Sequence, residues 1–180
     1  MKATLYQDLS DPQLASDLLE GKIGVIPTDT QYGIVASALN PEAVEQVYAV
    51  RRRDLDKPCI VLASSFEQLL ELEGLDRNTL LMAEKYWPGK VSVDISCAKS
   101  KFPYLHRGAG RLAVRIPEYP ELCTLLESTG PIIAPSANLQ NEQPAETIEQ
   151  AQSYFGDAVD FYVNVGALIN RKPSTIISFT

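Results

Sequence analysis

The chain has 180 residues, 45% of them apolar and 22% charged, and a formal net charge of −7. That length lets one domain spanning residues 1–180 bury roughly two-thirds of its unfolded surface, so neither disulfides nor a structural metal is needed to hold it together. The negative charge disfavours non-specific attraction to nucleic acid over the whole surface while leaving room for a local basic cleft. Residues 1–8 have neither an apolar leader core nor a small-residue cleavage site, and no run is long and apolar enough for a membrane span, so a cytoplasmic protein is expected.

In chain order, Leu14, Leu18 and Leu19 recur at helical spacing between Asp11 and Glu20, with Ser10 or Asp11 as the cap and Gly21 as the stop. Ile23–Ile26 reads as a buried strand, and Val35–Leu39 as a short second one. Between them lies Pro27-Thr28-Asp29-Thr30-Gln31-Tyr32-Gly33-Ile34, where hydroxyls, a carboxylate and an aromatic gather at a strand end. This stretch is either an Asx or Ser/Thr turn or a segment built to hold a ligand. Asn40 and Pro41 are a good N-cap and first helical residue, predicting a helix to about Arg52 with Ala43, Val44, Val47 and Tyr48 inward. Cys59–Ala63 is a short apolar run expected as a central strand, followed by a Ser64- or Ser65-capped helix to Leu70 and another from Asn78 to Tyr86. Val91–Ile95 alternates like a strand with one wet face. Lys99–Gly110 reads as a mobile loop, and Leu112–Ile116 as a strand holding the single charge of Arg115. A helix from about Pro120 to Glu127 leads into Ile132–Ala134, then helix Thr147–Phe155 and strands at Phe161–Val163 and Pro173–Ile177. Strands alternating with helices predict an α/β (α+β) domain on one mixed sheet.

The candidate chemistry sits at strand ends: Thr28 with Thr30, Arg115, Ser136 with Asn138, and Ser174 with Thr175. In open α/β sheets such positions let loops aim hydroxyls and backbone N–H groups into one crevice. A lone guanidinium in Leu112–Pro117 must find an anion if its strand is buried, either a structural carboxylate or the carboxylate or phosphate of a ligand. Arg51-Arg52-Arg53-Asp54-Leu55-Asp56-Lys57 is the densest positive run, readable as a solvated helix C-terminus or as Arg51, Arg53 and Lys57 converging on polyphosphate. Cys59, Cys97 and Cys123 are widely spaced in apolar surroundings and suit reduced core thiols. There is no Walker-type loop, Ser/His/Asp triad, metal-ligand spacing or carboxylate pair, which points to positioning of anionic reactants rather than covalent or classical hydrolytic chemistry.

Taken in order, Pro27–Gly33, Arg51–Arg53 with Lys57-Pro58, Trp87-Pro88-Gly89 with Ser92, Val114–Pro117, Pro135–Asn138 and Ser174–Ile176 resemble the YrdC-like family of threonylcarbamoyl-AMP synthases. The resemblance implies a twisted mixed sheet with flanking helices and a concave basic cleft. It also implies an enzyme that joins L-threonine, bicarbonate and ATP, with Mg²⁺, into threonylcarbamoyl-AMP and diphosphate. A tRNA-modifying transferase complex then moves the group to the adenosine beside the anticodon. Carried over by position, Thr30, Arg115 and Ser174 resemble threonine-binding residues, and Arg53, Lys57, Ser92, Ser136 and Asn138 resemble ATP-binding ones. Arg51 and Arg53, with Lys57 and the metal, would neutralise charge during adenylate formation.

The chain departs from the family pattern in that Arg51 stands where Lys is usual, Gln140-Asn141 where Ser-Gly is common, and Leu62 where some relatives carry His. It resembles the short, single-domain branch. A non-catalytic RNA-binding relative is the alternative, suggested by Arg51 and the family's basic face and opposed by the net charge. Carbamoyl transfer in hydrogenase maturation belongs to relatives with zinc-finger and acylphosphatase modules, for which this chain has no room.

Overall fold

Period-two alternation of side chains divides every central strand of this protein between two apolar clusters, one on each face of a single sheet. The computed structural model describes residues 2–179. Its strands are β1 (Thr4–Tyr6), β2 (Gly24–Pro27), β3 (Tyr32–Ser37), β4 (Val61–Leu62), β5 (Val91–Ser96), β6 (Arg111–Arg115), β7 (Ile132–Ile133), β8 (Phe161–Val163) and β9 (Thr175–Ser178). They form a nine-stranded mixed sheet in the order β1-β8-β2-β3-β7-β4-β6-β5-β9. The helices are α1 (Pro12–Leu19), α2 (Pro41–Arg51), α3 (Phe66–Glu71), α4 (Arg77–Ala83), α5 (Pro103–His106), α6 (Pro120–Thr129) and α7 (Ile148–Phe155).

Val25, Ile34, Val61, Val93, Val114 and Ile133 face one way and pack with α2, α4 and α7 through Val44, Val47, Leu80, Ile148 and Phe155. Ile26, Val35, Leu62, Ile132 and Phe161 face the other way, where Leu14 and Leu18 of α1 and Leu122, Leu125 and Leu126 of α6 cover them. The helices start where local chemistry allows. Asp11, Asn40, Ser65, Asp76 and Thr147 each accept a bond from a backbone N–H in the first turn, satisfying a donor that has no intrahelical partner.

Several boundaries differ from the sequence reading. The expected loop at 27–34 is half strand: β2 and β3 pair antiparallel with Pro27 opposite Tyr32, leaving only a four-residue turn, Thr28–Gln31. Cys59–Ala63 contributes just two ladder residues, because β4 runs between β7 and β6 for only Val61 and Leu62. Leu112–Ile116 is displaced by one residue to Arg111–Arg115. The 99–110 segment contains the short helix α5, with Leu105 and His106 buried, so packing organises part of it. β1, which no sequence pattern marked, joins the edge by parallel pairing with β8. The expected antiparallel return between the strands near Val91 and Leu112 is present as β5 against β6. No cysteine among the described residues is in a disulfide; Cys59 and Cys97 are buried and Cys123 is half-buried.

Gly24 has a specific steric reason. An added methyl there would lie 2.2 Å from the fully buried Phe161 ring on the neighbouring strand. Gly24→Ala should therefore cost about 1–3 kcal/mol by overpacking, read as a lower urea midpoint at unchanged slope. A midpoint equal to that of the parent chain would contradict this packing.

Candidate functional site

The same alternation that builds the α1/α6 face also assembles a hollow beyond the reach of those helices. Residues in step with Leu62 and Ile132 share their face: Ile60 before β4, Ala134 and Ser136 after β7, Arg115 opposite Leu62, and Ser92 and Ser174 in step with Arg115 through β5 and β9. Together with the Thr28–Gln31 turn, these residues wall a cavity of about 440 Å³ lined by Thr30, Ile60, Arg115, Ala134, Ser136 and Ser174. That volume falls in the range of roughly 300–1,000 Å³ typical of small-molecule sites.

The turn is held open by its own hydroxyls. Thr28 Oγ1 donates to the Gln31 carbonyl at 2.7 Å and accepts from the N–H groups of Thr30 and Gln31. The Thr28 and Thr30 hydroxyls lie 3.0 Å apart, and whichever of them donates, Thr30 keeps at least one lone pair for a ligand. Between the turn and β6 lies a buried ion pair. Arg115 Nη1 donates to Asp29 Oδ1, with the two side chains 3% and 1% exposed. The other Asp29 oxygen accepts from the Glu118 N–H at 3.2 Å. Arg115 Nε is buried without an acceptor among the described residues. Asp29 is therefore the structural carboxylate that the Arg115 sequence required, although the sequence did not identify which acid it was.

On the opposite wall, residues 164–174 cross the sheet from β8 to β9 without regular structure. Tyr32 fastens this crossing: its hydroxyl donates to Gly166 O at 2.7 Å and accepts from the Val165 N–H, and burial raises its phenol above the ordinary range. Gln31 Nε2 donates to Arg171 O at 2.8 Å. At its end Ser174 meets the fully buried Ser92 through their hydroxyls at 2.9 Å. Gln31 and Tyr32 belong to the stretch that the sequence marks as able to hold a ligand, although it assigns neither an individual role, and the crossing carries no sequence mark before Pro173. The available signal was the Gly33-flanked turn, whose partners lie more than 130 residues away.

Thr30, Arg115, Ser136 and Ser174 thus line one cavity, and Ser92 backs it. The three cations of the 51–57 run do not converge. Arg51 continues the inward stripe of Val44, Val47 and Tyr48 along α2, while Arg52 takes the left-handed conformation at φ 53° and turns the chain away. Arg53 donates to the carbonyls of Lys57 and Pro58, and Lys57 pairs with Asp54 at 2.6 Å on the surface. Neither is among the residues lining the cavity. Asn138 lies behind Ser136, its side-chain amide donating to the carbonyls of Leu139 and Glu142. Burial first, and then the charge of Arg53, pull the Arg51 guanidinium down to about 10, so it remains a cation at neutral pH.

The chain matches the Sua5/YciO/YrdC family model, described as "Telomere recombination", over residues 16–180. It is 34% identical over 163 residues to the threonylcarbamoyl-AMP synthase of Marinobacter nauticus, covering 89% of this chain and 86% of that protein. Against the threonylcarbamoyl-AMP synthase of Bacillus subtilis the identity is 33%, over 94% of this chain and 51% of that one. The crystal structure of Pyrococcus abyssi Sua5 complexed with L-threonine superposes at a TM-score of 0.85 with 25% identity, covering 99% of this chain and 54% of that one. Escherichia coli YciO, at a TM-score of 0.83 and 20% identity, shares the fold over all of this chain and 91% of its own. This mixed α/β protein belongs to the YrdC/Sua5-like threonylcarbamoyl-AMP synthase family. It spans about half the length of the B. subtilis and P. abyssi proteins. No described helix is long and apolar enough to cross a membrane.

The ion pair generates a stability prediction. Asp29→Ala leaves Arg115 buried and unpaired, and should cost about 3–5 kcal/mol in denaturant unfolding. The double variant Asp29→Leu with Arg115→Met should recover most of that loss. A single-variant loss below about 1 kcal/mol would show that the pair is not what fixes the turn.

Proposed function

We propose that this chain makes threonylcarbamoyl-AMP and diphosphate from L-threonine, bicarbonate and ATP, supplying a transferase that modifies the tRNA adenosine beside the anticodon. The reading rests on one observation: hydroxyl and guanidinium groups from four segments far apart in sequence, carried by Thr30, Arg115, Ser136 and Ser174, wall a single hollow. Family membership supplies the chemistry for which such a hollow is suited.

In this reading the amino-acid carboxylate lies toward Arg115, whose guanidinium is already oriented by Asp29. Thr30, with a lone pair to spare, accepts from the substrate ammonium or hydroxyl, and Ser174, oriented by Ser92, makes a further contact. Once the ammonium has released a proton to solvent, the neutral amine attacks the carbon of CO₂ and releases a second proton to solvent, or attacks bicarbonate so that its proton leaves with the expelled oxygen as water, giving a carbamate in either case. A carbamate oxygen then attacks the α-phosphorus as its bond to the bridging oxygen breaks and diphosphate leaves. The protein's contribution is alignment and charge stabilisation without a covalent enzyme intermediate. Ser136 and the cations Arg51, Arg53 and Lys57 stand on the nucleotide side. Arg51 acts there through the field of a buried charge, and Arg53 and Lys57 would reach phosphate only by leaving their present partners. No group of three or more His, Cys, Asp or Glu side chains among the described residues is placed to hold a metal. These residues do not build a resident Mg²⁺ site, and Mg²⁺ enters as part of the MgATP substrate.

Incubation with ATP, L-threonine, bicarbonate and Mg²⁺ should release diphosphate in proportion to threonine, with threonylcarbamoyl-AMP detectable by mass. Diphosphate release indifferent to threonine would overturn the proposal. Within that assay Thr30→Val should raise the threonine KM about tenfold, the effect of one lost hydrogen bond to a charged group, and change the ATP KM less than twofold. Equal effects on the two substrates would remove Thr30 from the amino-acid side.

A further inference from the structure

We infer that Arg51 is a positioning residue: its buried guanidinium sets the 136–142 corner and aims the Ser136 hydroxyl, as a donor, at an anionic oxygen of the nucleotide. This inference rests on the proposed function for the identity of that ligand. The geometry itself is independent of it.

Arg51 is only 3% exposed, yet it has no carboxylate partner among the described residues. Its donors go instead to one corner of the chain. Nε donates to Asn138 O at 3.0 Å, Nη2 donates to Asn138 Oδ1 at 3.2 Å, and Nη2 lies 3.5 Å from Ser136 Oγ. The backbone of the same residue completes the clamp, since Arg51 O accepts from the Gln140 N–H at 2.9 Å. Gln140 returns the contact by accepting from the Asp54 N–H at 2.6 Å, and Asn141 allows the following turn at φ 70°. Both ends of the Asn138 side chain are therefore used inside the protein, which makes it part of the clamp.

A guanidinium whose partners are neutral oxygens, with Nη1 buried and without an acceptor among the described residues, keeps its full charge, and such burial is costly. That cost indicates a use beyond packing. With a positive group behind Ser136, the serine lone pairs are drawn toward Arg51 and the O–H bond turns outward into the cavity that Ser136 lines. An outward O–H recognises phosphate oxygen and rejects a donor. The charge also reaches the cavity at short range through low-dielectric protein, where salt screens it little. This is how a chain with a net charge of −7 attracts an anion to this one spot.

The test compares Arg51→Met, Arg51→Lys and Ser136→Ala with the parent chain. Titration calorimetry measures affinity for a non-hydrolysable ATP analogue, the diphosphate assay gives KM for ATP and threonine, and thermal unfolding is read alongside. Arg51→Met should weaken the analogue at least tenfold and raise the ATP KM similarly, with the threonine KM within twofold. Arg51→Lys, which keeps the charge but cannot reach both Asn138 oxygens in a fork, should fall between. Adding Ser136→Ala to Arg51→Met should weaken the analogue by clearly less than the product of the two single effects, because both act through one hydroxyl. The inference is overturned if threonine and ATP are affected equally, or if the two substitutions multiply independently. Should Arg51→Met fail to fold, the same comparison is made with Arg51→Lys. If the parent chain shows no threonine-dependent diphosphate, the proposed reaction fails while the calorimetric arm still decides the role of Arg51.

Discussion

The cavity depends on the buried pair between Asp29 and Arg115. β2 and β3 lie on one side of the short strands β7 and β4, and β6 lies on the other. A carboxylate at the tip of the β2–β3 turn reaches across that interval to a guanidinium on β6 and also takes the N–H of Glu118. Neither charge could remain in this interior alone, so each specifies the position of the other. The floor beneath them is made by Ile60 and Ala134, which follow the inward register of β4 and β7, are joined by the Ala134 N–H donating to Ile60 O at 3.0 Å, and line the cavity while half-buried.

Around that pair the site is composed of hydroxyls that each already have a polar neighbour. Thr28 fixes Thr30, Ser92 meets Ser174, and Arg51 stands behind Ser136. Each contact removes a rotational freedom that a ligand would otherwise have to freeze, which is the preorganisation on which alignment-driven chemistry depends. The two cations of different setting divide the work. Arg115 is paired with Asp29 and contributes direction, whereas Arg51, without a carboxylate partner among the described residues, contributes field.

Much of this was legible in the sequence because its signals are local. Caps at Asp11, Asn40 and Ser65 and the stripe Val44-Val47-Tyr48 depend on neighbours within a few residues, and these elements lie where the pattern put them. Arg115 was visible as a charge that needed an anion. Its partner was not, because Asp29 is 86 residues away and looked like any turn aspartate. β1 went unseen because its three residues are a strand only through pairing with β8, at the far end of the chain. Convergence of Arg51 and Arg53, one of the two arrangements the run allows, depends on alternation just past the helix end; Arg52 in the left-handed region separates the two side chains, and the helical stripe carries Arg51 inward. The crossing at 164–174 has no periodicity to read, and its position is set by Tyr32 and by the distance between β8 and β9.

At the centre is the idea that an amino acid and a nucleotide occupy this one hollow side by side. The most direct measurement is calorimetric titration of L-threonine into the protein, alone and again with a saturating non-hydrolysable ATP analogue and Mg²⁺. Side-by-side occupancy predicts one threonine per chain in both titrations, with an affinity held or strengthened by the analogue. Displacement of threonine by the analogue, or the absence of threonine binding in both titrations, would contradict it.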